Sequence, residues 1–68
     1  MSKTILELQE ELERVIPVNY SLSIENYRPE KGGEVVIKYT GKSIDWFYCE
    51  TFVEILEQSI MWFKNYKP

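Results

Sequence analysis

The chain has 68 residues, a formal charge of −3 and a single cysteine, Cys49. A domain of this size hides only about 60% of the surface its unfolded form exposes, so it usually needs a disulfide, a metal, dense aromatic packing or self-association. One cysteine excludes an intrachain disulfide, and the absence of histidine leaves no zinc- or iron-type ligand spacing, so neither metal nor other cofactor is expected. Two Trp, five Tyr and three Phe leave aromatic packing and oligomerisation as the available routes. Charge is uneven along the chain. Residues 1–17 and 44–68 are acidic, while 18–43 is weakly basic through Arg28, Lys31, Lys38 and Lys42 against Glu25, Glu30 and Glu34.

Thr4-Ile5-Leu6-Glu7 has the spacing of a capping box, and Ile5, Leu8, Leu12, Val15 and Ile16 recur at helical intervals, predicting a helix over 4–16 that Pro17 stops. From Val18 the period becomes two: Val18, Tyr20, Leu22 and Ile24 alternate with polar residues, predicting a strand over 18–27. A second β-branched run predicts a strand over 34–40, with Val35, Ile37 and Tyr39 on one face. Between them Arg28-Pro29-Glu30-Lys31-Gly32-Gly33 reads as a turn, making an antiparallel hairpin. Pairing Tyr27 with Glu34 sets Ile24 opposite Ile37 and Leu22 opposite Tyr39, which puts both apolar sets on one face.

Gly41-Lys42-Ser43 reads as a connection, with Ser43 or Asp45 capping a long helix over 44–65. On a helical wheel Ile44, Tyr48, Cys49, Phe52, Val53, Ile55, Leu56, Ile60, Trp62, Phe63 and Tyr66 form one broad apolar half. Trp46, Phe47 and Met61 fall on the other half with Glu50, Glu54 and Glu57. The expected architecture is a single α+β domain, a two-layer α-β-β-α arrangement with the hairpin packed on one face by two helices. Two strands make a small sheet, and a homodimer would supply the missing buried area.

Catalysis finds little support. No histidine stands beside a nucleophile, Cys49 reads as a small core hydrophobe, and Glu50, Glu54 and Glu57 form a solvated face of one helix with no opposing carboxylates. The protein is therefore expected not to be an enzyme. Membrane-surface binding is disfavoured because those glutamates replace the basic face such helices need. DNA mimicry is disfavoured because eight basic residues dilute eleven acidic ones.

Protein binding remains the leading class, with Trp46, Phe47, Met61, Val36 and Tyr27 as candidate contacts beyond what the elements can bury. The alternative is a hairpin that binds nucleic acid through Arg28, Lys31, Lys38 and Lys42, opposed by the acidic ends of the chain. Met-Ser-Lys-Thr runs directly into a charged amphipathic segment, without an apolar run of signal or membrane-spanning length, so a cytoplasmic location is expected. The absence of Ala and His, with abundant Ile, Glu, Lys and Tyr, suggests an AT-rich bacterial or phage genome. A prophage regulator or inhibitor acting as a homodimer fits that setting.

Overall fold

The computed structural model describes residues 3–66. Helix α1 (Ile5–Val15) begins with the expected capping box: the Glu7 amide donates to the Thr4 hydroxyl at 3.1 Å, and the Thr4 amide donates to the Glu7 carboxylate at 3.0 Å. It ends at Ile16, whose extended backbone is what a following proline requires. Pro17 to Tyr20 then form a turn closed by the Tyr20 amide on the Pro17 carbonyl at 3.2 Å, with Asn19 at φ 71°. Val18 therefore lies exposed in this turn instead of opening the strand.

Strands β1 (Tyr20–Arg28) and β2 (Gly32–Tyr39) form the expected hairpin. The register is displaced by two residues from expectation: Tyr20 pairs with Tyr39, Leu22 with Ile37 and Ile24 with Val35. The displacement originates at the turn, where Asn26 takes φ 55° and a bulge lies between Glu25 and Arg28, so the loop closes as Arg28 opposite Gly32. A shift of two preserves which side chains face the core.

The helix expected over 44–65 is two elements. Residues Lys42–Cys49 form a third strand, β3, and the helix α2 spans only Phe52–Asn65. Thr40 at φ 50° and Gly41 at φ 85° are the centre of a two-residue hairpin of the kind whose twist matches adjoining antiparallel strands. After it, Ile44, Trp46, Phe47 and Tyr48 are strong strand formers. The cap belongs to Thr51, whose hydroxyl accepts from the Glu54 amide at 3.1 Å, and neither Ser43 nor Asp45 performs it.

The result is an α+β domain of order α-β-β-β-α, with an antiparallel sheet β1-β2-β3 and both helices on one face. Val35, Ile37 and Ile55 are fully buried at its centre, joined by Leu8 and Leu12 of α1 and by Leu56, Ile60 and Phe63 of α2. Ser59 is also fully buried, and its hydroxyl donates to the Ile55 carbonyl at 2.6 Å. Tyr20 links the sheet to the end of α2 through Phe63 and Tyr66, with a 3.1 Å hydrogen bond to the Tyr66 hydroxyl that pushes the Tyr20 phenol up to about 12. Glu11 ties the two helices together by accepting from Lys64 at 2.7 Å and from Lys3.

A Cβ on Gly32, at φ 81°, would overlap the Cys49 carbonyl oxygen and lie 2.6 Å from the Glu50 Cα, whereas Gly41 has open space around it. Denaturant melts should thus show Gly41→Ala costing about 1–2 kcal/mol from its left-handed backbone alone. Gly32→Ala should cost several-fold more, enough to unfold a domain holding roughly 5 kcal/mol. Acid titration probes the other contact. The bonds from Lys3 and then Lys64 lower the Glu11 carboxyl from 4.5 to about 2. Because the folded value is the lower one, its stabilisation is present above the unfolded value of 4.5 and is lost as pH falls toward 2. Glu11→Gln should flatten the stability profile across that interval, and an unchanged acid limb would show that the carboxylate does not act this way.

Candidate functional site

The helices cover one face of the sheet and leave the other bare. Because Val35 and Ile37 point into the core, Glu34, Val36 and Lys38 point away from it. The two pairings place three cross-strand rows on that open face: Ser21, Lys38 and Ser43; Ser23, Val36 and Trp46; Glu25, Glu34 and Tyr48. Trp46 is 66% exposed and Tyr48 55% exposed. Val36, Lys38, Glu34 and Ser23 are half-buried among their neighbours. The Tyr48 hydroxyl also donates to the Lys31 carbonyl, which fixes that ring toward the β1–β2 loop.

A single bulge decides which rings face outward. Lys38 pairs with Ser43, but Ile37 pairs with Asp45, so Ile44 is one residue extra in β3. Without that insertion Ile44, Trp46 and Tyr48 would turn toward the helices, and Phe47 would turn outward. With it, Phe47 and the buried Cys49 enter the helix-covered side, opposite Val35 and Gly33, and the larger Trp46 goes to the bare face. Burial and then the Glu54 carboxylate push the Cys49 thiol up, which disfavours the nucleophilic thiolate.

Asp45 anchors the bulge. Its Oδ1 accepts from the Trp46 amide at 2.8 Å and its Oδ2 accepts from the Trp62 indole nitrogen at 2.7 Å. One carboxylate therefore occupies an edge-strand donor and ties β3 to α2. Trp62 in turn stacks on Tyr66 at 4.8 Å. Beside this staple an open groove of about 850 Å³ runs between β3 and α2, lined by Ile44, Phe47, Met61, Trp62 and Tyr66 among others.

The five candidate contacts therefore occupy three places. Val36 and Trp46 are neighbours on the open face; Phe47 and Met61 line the groove; Tyr27 lies away from the open face on the helix side, edge-on to Phe52 at 5.7 Å. The bulge before Arg28 turns Tyr27 there. The four basic residues do not form one patch. Lys31 sits at the β1–β2 turn and Lys42 follows the opposite turn, while Arg28, opposite Gly32 at the end of the sheet, and Lys38 fall on the open-face side with the Glu25–Glu34 row and the Val36 row between them. Sequence reasoning overlooked Asp45, Glu34 and Glu25 as members of the site. The signals available were the two-residue alternation Ile44, Trp46, Tyr48 and the second Thr-x-x-Glu start at Thr51.

Among the described residues, no cluster of metal-ligating side chains is present, and no helix is long and apolar enough to cross a membrane. Neither protein-family models nor curated proteins nor solved structures match this chain.

Asp45→Ala should accelerate exchange of the Trp46 amide hydrogen and lower the melting temperature by several degrees, since it removes two hydrogen bonds to a charged acceptor. Unchanged Trp46 exchange would mean that the carboxylate does not protect this edge.

Proposed function

We propose that this protein is a non-catalytic protein-binding module of the cytoplasm, with the open face of its sheet as the binding surface. The carrying observation is Trp46, 66% exposed in the middle row of a bare sheet face, on its edge strand β3, whose neighbouring Phe47 is turned inward. A large ring beside Val36, with Ser21, Ser23, Glu34 and Lys38 around it, has the apolar centre and polar rim of an association surface. A small regulator or inhibitor of bacterial or prophage origin, associating with itself, fits this arrangement.

Nucleic-acid binding has one supporting feature: Trp46, Tyr48 and Lys38 share an open antiparallel sheet, the kind of platform on which unpaired bases stack. Glu25 and Glu34 occupy the same face, and their charge and the acidic helices oppose a polyanion. Protein binding is the better reading.

Trp46→Ser should leave the thermal midpoint within a few degrees, because the ring lies outside the core, and weaken protein association at least about thirtyfold, as loss of an interface anchor does. Sedimentation and cross-linking capture report the second effect; a folded variant that associates like wild type removes the reading. A complex with single-stranded nucleic acid that weakens with salt and is lost in Lys31→Glu/Lys38→Glu would favour the alternative.

A further inference from the structure

We infer that the occupant of the open face is a second copy of this chain, packed sheet against sheet about a twofold axis that runs along the row Ser23, Val36, Trp46. The inference rests on the reading of this face as a protein-binding surface and names its partner.

The arrangement of charge carries it. On β2 the face reads Glu34, Val36, Lys38, one acid and one base disposed about an apolar centre. Successive rows are about 6.8 Å apart along the strand. A twofold axis along the central row reverses strand direction between the copies and lays each Lys38 over Glu34 of the other. Val36 and Trp46 then meet their own equivalents at the centre. Tyr48 falls over Ser43, and Glu25 over Ser21. A twofold along β2 instead would lay Glu34 on Glu34 and Lys38 on Lys38, which like-charge repulsion opposes. The face is thus self-complementary in one orientation, as an isologous interface must be.

A second feature points the same way. Glu25 and Glu34 are directly paired across β1 and β2, an arrangement that destabilises an isolated sheet. No salt bridge to either is formed among the described residues. In the paired arrangement the Lys38 ammonium of the other copy approaches this pair, adding a cation to two carboxylates with which Arg28, in the adjoining row, forms no salt bridge.

The dimensions point to a modest interface. Three strands of 8 to 9 residues, spaced about 4.8 Å apart with about 3.4 Å per residue, present a face of roughly 14 × 27 Å in projection, about half of the roughly 800 Å² that each partner buries in a standard interface, which is the size of a weak, reversible dimer. Aligned sheets pack about 10 Å apart, a gap that facing Trp and Val side chains fill. Edge-to-edge pairing through β3 is disfavoured, because Asp45 already occupies the Trp46 amide and the Ile44 bulge distorts the edge.

Sedimentation equilibrium on wild type, Lys38→Glu and Glu34→Lys, alone and mixed, tests the proposal. Wild type should dimerise. Each single variant should dimerise at least about tenfold more weakly, since both symmetry-related junctions become like-charged. An equimolar mixture should recover a one-to-one heterodimer. At one junction the glutamate introduced at position 38 of one chain meets the lysine introduced at position 34 of the other, and at the second junction an unaltered Glu34 meets an unaltered Lys38. Should either single variant fold poorly, Glu34→Lys/Lys38→Glu in one chain should restore the homodimer. A monomeric wild type overturns the pairing, as does a mixture or double variant with no recovery. Trp46→Ser separates the two levels: a monomeric wild type whose capture of another protein still depends on Trp46 removes the twofold pairing but keeps the face as a binding surface. A wild-type dimer indifferent to Trp46→Ser removes both.

Discussion

The two residues Thr40 and Gly41 carry the constraint from which the rest of the architecture follows. Both take positive φ, at 50° and 85°, and so reverse the chain in two residues instead of allowing it to enter a helix. The reversal gives β2 a neighbour on each side, which is why Val35 and Ile37 can be fully buried beneath α2. It also delivers β3 to the sheet in a register with Lys42 opposite Tyr39 and Ser43 opposite Lys38. That register alone would turn Trp46 inward. The bulge at Ile44 reverses the parity, and the Asp45 carboxylate stabilises the bulge by accepting from the Trp46 amide and the Trp62 indole. A turn and one inserted residue thus decide which aromatic ring packs in the core and which lies on the open surface.

Protection of the β3 edge and exposure of the β3 face are two consequences of the same device. An unpaired strand edge invites pairing with any extended chain, and bulges are among the ways proteins prevent it. Here the bulge is combined with a carboxylate that occupies the Trp46 amide, so the edge is weakened as a template while the face beside it presents the exposed rings of Trp46 and Tyr48. Such a division favours recognition through side chains over recognition through backbone, and side chains discriminate between partners more sharply.

Much of the fold is legible in local signals, and the failures have identifiable causes. Thr4 with Glu7, the β-branched run of β2 and the glycines after Lys31 each express a local preference that agrees with the final structure. The segment 44–49 is ambiguous because a short apolar run satisfies a helical wheel and a strand equally well. The arbiter is the second capping signal, Thr51 with Glu54, which leaves no room for a helix beginning at Ile44. The expected hairpin register fails by two residues because Asn26 takes a left-handed conformation that Asn tolerates but does not announce. Of the candidate contacts, Val36 and Trp46 can be named from their chemistry, but their adjacency depends on the bulge at Ile44. A bulge is set by tertiary contacts, here Asp45 with Trp62, which lie 17 positions apart in the chain.

The layering leaves one face of the sheet open. Two helices packed on one side of a three-stranded sheet cover that side only. Sheets of this kind normally carry polar residues on the uncovered side. This one carries Ser21, Ser23 and Lys38 as that rule predicts, but it also carries Val36 and Trp46 across its centre and sets Glu25 against Glu34. Each departure is unfavourable in an isolated domain, the first by exposing apolar surface to water and the second by like-charge repulsion. Packing a second such face against the first, reversed in strand direction, relieves both at once: the apolar row is covered by its own copy and each acidic pair receives a lysine. A different chain presenting an apolar centre and one cation could do the same, but this chain already contains both in the required order.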